Sequence, residues 1–225
     1  HGVHVPIGEQ LVEIRVHPVR PPPLGGGPGP FPDGVAHGHD VAAVVLEVAG
    51  DVEGRDVPHA DDAELSCGGT LAKLAGLGRK TGIIVLTRGE MGTRGDSETR
   101  AREFAAAAGI LGLAAHEMLD MPDGRVEVTW ENKLKIIGAL RAHRPKVVLA
   151  PYWVDRHPDH EQASVLVRHA AYLSGLSKIE TGTSPFRPHK VIYYQTRFEF
   201  TPSFIVDVSE AHERKMKAVK AYASQ

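Results

Sequence analysis

KVVLAPYWVDRHPDH (146–160) reads as a buried strand that runs straight into a knot of acids and histidines. The run from Lys146 to Pro151 is apolar, short and rich in valine, which suits a strand buried on both faces. DRHPDH then gathers Asp155, His157, Asp159 and His160. An earlier stretch, PHADDAELSCGGTL (58–71), gathers His59, Asp61, Asp62 and Glu64 in the same way. Neutral imidazoles and carboxylates are what a divalent zinc ion takes as ligands, and a spare carboxylate can take a proton from water.

Outward from these clusters, strand and helix signals alternate. GIIVLT (82–87), HEMLDM (116–121), FRPHKVIYYQ (186–195) and PSFIVDVS (202–209) read as strands or as holding one. Helices are expected at 63–78 with Asp62 as N-cap, at 97–112 starting at Ser97, at 129–144 ended by Pro145, at 160–176 and at 210–225. Gly68 and Gly69 inside the first helix suggest close backbone packing. RGEMGTRGD (88–96) is a Gly-rich loop at a strand's carboxyl end, and PDG (122–124) a turn. The alternation implies right-handed crossovers and a Rossmann-like α/β fold: a mainly parallel sheet with helices on both faces. In such sheets ligands bind at the strands' carboxyl ends, so the two clusters are expected to meet there as one active site.

Residues 1–56 read differently. VRPPPLGGGPGPFPDG (19–34) is too dense in Pro and Gly for a helix or central strand, and no Gly-Lys-Ser/Thr makes it a phosphate loop. His37 and His39 are scattered in the same leader, which is expected to be disordered or non-native. VAAVVLEV (41–48) is its one strand-like run, and periodicity alone leaves a short buried helix open. Residues 57–225 form the expected functional domain.

Composition narrows the function. A net charge of −2 offers no basic field to nucleic acid or an anionic membrane. No apolar run is long enough to span a bilayer, and no secretory signal pattern opens the chain. A single cysteine, Cys67, fits a reducing cytoplasm and reads as a small core residue, soft metal ligation being the alternative. Trp130 and Trp153 read as packing residues, with Trp153 also a candidate pocket wall, and Glu64 as a first-turn helix acid.

His59, Asp62 and His160 form a two-nitrogen, one-carboxylate ligand set that leaves an open position for water. Asp61 is the candidate general base. His157 is the candidate stabiliser of an oxyanion or proton donor to a leaving amine, with Asp159 binding its ring and raising its pKa. Adjacent acids at a helix start can equally serve the helix dipole, and HPDH can be a turn and a cap.

HADDAEL with GGT, LTRGEMGTRG, MPDG, DRHPDH and ERKMKAVKAYASQ together resemble the LmbE-like (PIG-L) zinc N-acetylglucosaminyl deacetylases, from about residue 57 to the end of the chain. HADD, DRHPDH and VIYYQ…PSFIVDVS are most similar to the bacillithiol-biosynthesis branch. The resemblance implies a zinc-dependent N-deacetylase of N-acetylglucosaminyl malate, with zinc (or another divalent metal such as ferrous iron) on His59, Asp62 and His160. It implies substrate contacts for Arg100, Arg156 and Tyr194, a small amino-sugar conjugate as the partner, and a hexamer. Two departures accompany it: GRDV (54–57) stands where the family's first strand ends, so that strand is expected to be missing or displaced, and the family's C-terminal segment is expected to be absent. The alternatives are a deacetylase of another N-acetylglucosamine conjugate, a metal phosphoesterase, or a truncated family member that binds metal or sugar without turnover.

Overall fold

The computed structural model describes residues 2–7, 10–15, 43–47, 62–92 and 94–224. The Pro/Gly-rich run 19–34, His37, His39, His59 and Asp61 lie outside them. The chain divides into two units. The smaller comprises 1–40 and 199–207 and contains an antiparallel pair, β1 (Gly2–Ile7) and β2 (Gln10–Arg15). The larger, 41–198 with 208–225, carries the site.

The larger unit is built on a five-stranded sheet. Its strands are β3 (Ala43–Glu47), β4 (Thr81–Thr87), β5 (Ala115–Met121), β6 (Val147–Pro151) and β7 (Lys190–Tyr194), in the order β5-β4-β3-β6-β7. Every pairing is parallel. The first strand in sequence is thus the central one, with Val44 opposite Gly82 on one side and Val148 on the other. The order reverses between β3 and β6, and such a reversal opens a crevice at the strands' carboxyl ends.

Strand pleating sends alternate residues to opposite faces. Ile84 and Leu86 of β4 join Val148 and Ala150 of β6 in one apolar cluster. It is completed by α4 (Trp130–His143), through Ile136, Ile137 and Leu140, and by α5 (Pro158–Leu173), through Ala163, Leu166, Val167 and Ala170. Ile83, Val85 and Leu149 face the other way. There they meet α1 (Asp62–Ser66), α2 (Gly68–Gly76), α3 (Ser97–Leu111) and α6 (His212–Val219) through Ala63, Leu71, Phe104 and Ala218. The protein is therefore an α/β molecule with a parallel sheet covered by helices on both faces.

Local structure departs from expectation in four places. The central strand comes from within the 1–56 segment: Ala43–Glu47 of VAAVVLEV form a strand, and the sheet has its first strand in place, with 48–61 between it and α1. The helix expected at 63–78 is two helices that meet at Cys67, and Asp62 is the first helical residue, not the cap. A Cβ on Gly69 would stand 2.8 Å from the Val208 Cβ, which explains the glycine there. α3 starts at Ser97 as expected, with Asp96 as its cap accepting the Thr99 amide at 2.7 Å. α5 starts at Pro158, two residues before the expected start. PSFIVDVS forms no strand; it is irregular as far as a 3-10 turn at Ser209–Ala211. No helix of the described residues is long and apolar enough to cross a membrane.

Candidate active site

The site forms where α1 and α5 begin. His157 caps α5: its Nδ1 accepts the Asp159 amide at 3.2 Å, and Pro158 takes the first helical position, where a missing amide costs nothing. His160 then lies buried in the first turn, between two carboxylates. Its Nε2 is 3.3 Å from Asp62 Oδ2, and its Nδ1 is 3.3 Å from Asp155 Oδ1. Its ring also leans on that of His157, with centroids 5.1 Å apart. The two halves of the expected site thus meet through Asp62 and His160.

Asp155 is the hub of the second half. Its Oδ1 accepts the His157 amide at 2.8 Å, and its Oδ2 accepts the hydroxyl of Thr196, just beyond β7. Burial pushes the Asp155 carboxyl up, but His160, Thr196 and the His157 amide together hold it well below the usual carboxylate range. Burial likewise pulls the His160 imidazole down, and Asp155 and Asp62 overcome it and hold the ring at about 9. That two-sided carboxylate field is what a cation placed at Asp62 and His160 would meet.

Asp62 Oδ2 is buried and receives no hydrogen bond from a described residue. One carboxylate oxygen and one imidazole nitrogen, desolvated and adjacent, are zinc donors, and a carboxylate behind the other ring nitrogen is the usual support for a metal-binding histidine. The donor set fits a divalent metal. Among the described residues no group of three such side chains is gathered to hold an ion.

Asp159 differs from expectation. Its carboxylate does not bind the His157 ring; it accepts the amides of Gly124 at 2.8 Å and Val126 at 3.0 Å, on the segment that follows β5. Of Asp159 it is the backbone amide that meets the His157 ring, and Nδ1 is therefore an acceptor. Burial and the charge of His160 lower the pKa of His157, against the opposing pull of Asp159, Asp155 and Asp62. His157 is accordingly a neutral ring that presents Nε2–H.

PDG, read as a turn, carries a further buried acid. Asp123 accepts the Met91 amide at 3.0 Å and the Thr87 hydroxyl at 3.4 Å, while its own amide donates to Glu90 at 2.8 Å. Burial pushes its carboxyl up to about 6, helped by Glu90 and Asp159 and opposed by the Met91 amide and Arg100. Arg100 is fully buried, donates to the Arg94 carbonyl at 2.9 Å and packs against Gly89, whose φ of +66° and missing Cβ make room for it. Arg156 is exposed beside His157. Tyr194 ends β7, half-buried against the second apolar cluster.

The remaining side chains sort themselves. Cys67 is buried in an apolar cluster, and Glu64 stands in the first turn of α1, where it accepts the Tyr222 hydroxyl at 2.9 Å. Trp130, read as a packing residue, is 53% exposed. Trp153 is 52% exposed as well, held between Tyr152 at 4.2 Å and Tyr193 at 5.0 Å between ring centroids. Asp123, Glu90 and Thr196 carry no role in the sequence reading. Their contacts span 32 to 41 residues, which no local spacing encodes.

Residues 57–171 match the PIG-L family, described as GlcNAc-PI de-N-acetylase. The chain belongs to this family. The PIG-L chain is 34% identical over 184 residues to the diacetylchitobiose deacetylase of Thermococcus kodakarensis, covering 75% of this chain and 67% of that protein. Among solved structures, a conserved protein of Thermus thermophilus is 45% identical with a TM-score of 0.72, over 80% of this chain and 79% of that one. The N,N'-diacetylchitobiose deacetylase of Pyrococcus horikoshii, complexed with an inhibitor, is 25% identical with a TM-score of 0.70, over 82% and 70%.

Proposed function

We propose that this PIG-L member removes the acetyl group from an N-acetylglucosamine conjugate by zinc-assisted amide hydrolysis, with N-acetylglucosaminyl malate, the bacillithiol precursor, as substrate. The observation that carries the reading is the buried Asp62–His160–Asp155 series, spanning two strand ends in a chain of a de-N-acetylase family. Asp62, His160 and His59 would hold the metal, which when bound supplies Lewis acidity and lowers the pKa of water.

The chain's own groups supply the rest. Asp61, the neighbour of ligand Asp62, takes a proton from the attacking water. His157, its Nδ1 already occupied by the Asp159 amide, offers Nε2–H to the amide oxygen as that oxygen gains charge. The water oxygen bonds to the carbonyl carbon, the proton taken by Asp61 passes to the nitrogen as the C–N bond breaks, and acetate and a free amine leave. Arg156, exposed beside His157, is suited to a malate carboxylate.

A second sugar ring is the other candidate aglycone, and a specific feature favours it. Trp153 is half exposed and braced by two tyrosines, two residues ahead of Asp155. Flat apolar rings of this kind line sites for ligands with apolar faces.

The test is amine release from N-acetylglucosaminyl malate and from diacetylchitobiose, with bound metal measured alongside. Asp61→Ala is expected to keep zinc and lose roughly 10²–10⁴ in turnover. His160→Ala is expected to lose the metal itself. Undiminished turnover in the first variant discards the base, and stoichiometric zinc in the second removes His160 from the ligand set.

A further inference from the structure

Asp155 does more than neutralise a neighbour. Its side chain is fully buried, and its two oxygens have separate tasks. Oδ1 accepts the His157 amide at 2.8 Å and faces His160 Nδ1 at 3.3 Å. Oδ2 accepts the Thr196 hydroxyl. Thr196 lies two residues past Tyr194, at the carboxyl end of the edge strand β7, so a third strand end reaches the centre. A carboxylate held at one oxygen only can rotate about its last bond. Held at both, it fixes which oxygen meets the imidazole. With a metal on Nε2, which faces Asp62, the ring keeps one proton, on Nδ1, the nitrogen that faces Asp155. Thr196 is suited to this role because a β-branched side chain has few χ1 choices, and a hydroxyl donated to a carboxylate makes a strong, charge-assisted bond.

We propose that Thr196 is a positioning residue of the metal centre: its hydroxyl locks the Asp155 carboxylate and, through it, the tautomer and ring angle of His160. This rests on reading His160 as a metal ligand. It adds a link from β7 that the ligand set does not contain, and it sets metal affinity without touching metal or substrate.

Zinc affinity, measured by competition with a chromogenic chelator, tests it. Thr196→Val keeps the side chain's shape and removes the hydroxyl; a loss of about 10–100-fold is expected, the range for partners of ligating side chains. Thr196→Ala, which adds no methyl beside the carboxylate, should lose as much, and Thr196→Ser should bind as wild type does. In an Asp155→Asn background, Thr196→Val should cost nothing further, since there is no carboxylate left to lock. Wild-type affinity in both Thr196→Val and Thr196→Ala overturns the proposal. So does an equal loss with and without Asp155, which would mean that Thr196 acts by another route. A wild-type protein that retains no zinc overturns the metal reading beneath it, a result distinct from either.

Discussion

Asp123 illustrates how one residue can change meaning between sequence and fold. In MPDG it reads as a turn former, and it does make that turn: Gly124 follows it with φ +73°. Yet its side chain ties the loop after β4 to the loop after β5 while sitting close to two other acids. Its carboxyl is raised from 3.8 to about 6, first by burial and then by Glu90 and Asp159. A raised acid binds a proton more tightly folded than unfolded, so its contribution to stability is lost as pH rises from about 4 through 6. Asp123→Asn cannot ionise. Whatever the variant's stability at pH 4, the difference between it and wild type should move in the variant's favour up to pH 7. Denaturant melts at a series of pH values check this, and a pH-independent difference refutes it. His160 is legible at this scale as a candidate ligand in DRHPDH, whereas Asp155 reads only as a member of that cluster, with no role of its own. The true partners of Asp159 are not legible: a cap geometry gave its amide to His157 and sent its carboxylate to Gly124 and Val126.

At the scale of elements, strands were read well because both faces of the sheet are covered. β4 and β6 are apolar on each face, so a continuous apolar run identifies them without periodicity. PSFIVDVS looks similar in composition but pairs with no strand of the described residues, and composition alone cannot register that. Helix interiors raise a comparable ambiguity over glycine. Gly69 in α2 and Gly138 in α4 carry the same intrinsic penalty of about 1 kcal/mol relative to alanine. Their surroundings reverse the outcome. A Cβ at Gly69 would meet Val208 at 2.8 Å and 2.9 Å, whereas at Gly138 it would meet nothing within 4 Å. Gly138→Ala should therefore stabilise the protein by about 0.5–1 kcal/mol. Gly69→Ala should destabilise it, overpacking of about 1–3 kcal/mol outweighing the propensity gain. Chemical denaturation of the two variants measures both signs, and the same sign for both would show that Val208 yields freely.

For the whole molecule, the decisive feature is which strand stands in the middle. The alternation of strands and helices pointed to a parallel sheet, but the 43–47 run was set apart because a leader of foreign composition surrounds it and 48–61 separate it from α1. Its apolar, valine-rich run pairs on both sides, which makes the reversal between β3 and β6 the place where α1 and α5 bring Asp62 to His160. The proposed ligands, drawn from positions about a hundred residues apart, come together only in the folded chain. A metal bound there must therefore stabilise the native state by mass action. At a free zinc concentration a hundredfold above the dissociation constant the gain is about 2.7 kcal/mol, and at roughly 2–4 °C per kcal/mol for a chain of this size the melting point should rise by about 5–11 °C. Asp61→Ala should show the full rise, since the proposed base lies outside the proposed ligand set, and His160→Ala should show none. Thermal scans with and without a chelator distinguish these cases: a wild-type melting point indifferent to zinc would mean that the two strand ends do not share an ion, and a full rise in His160→Ala would mean that the ion sits elsewhere.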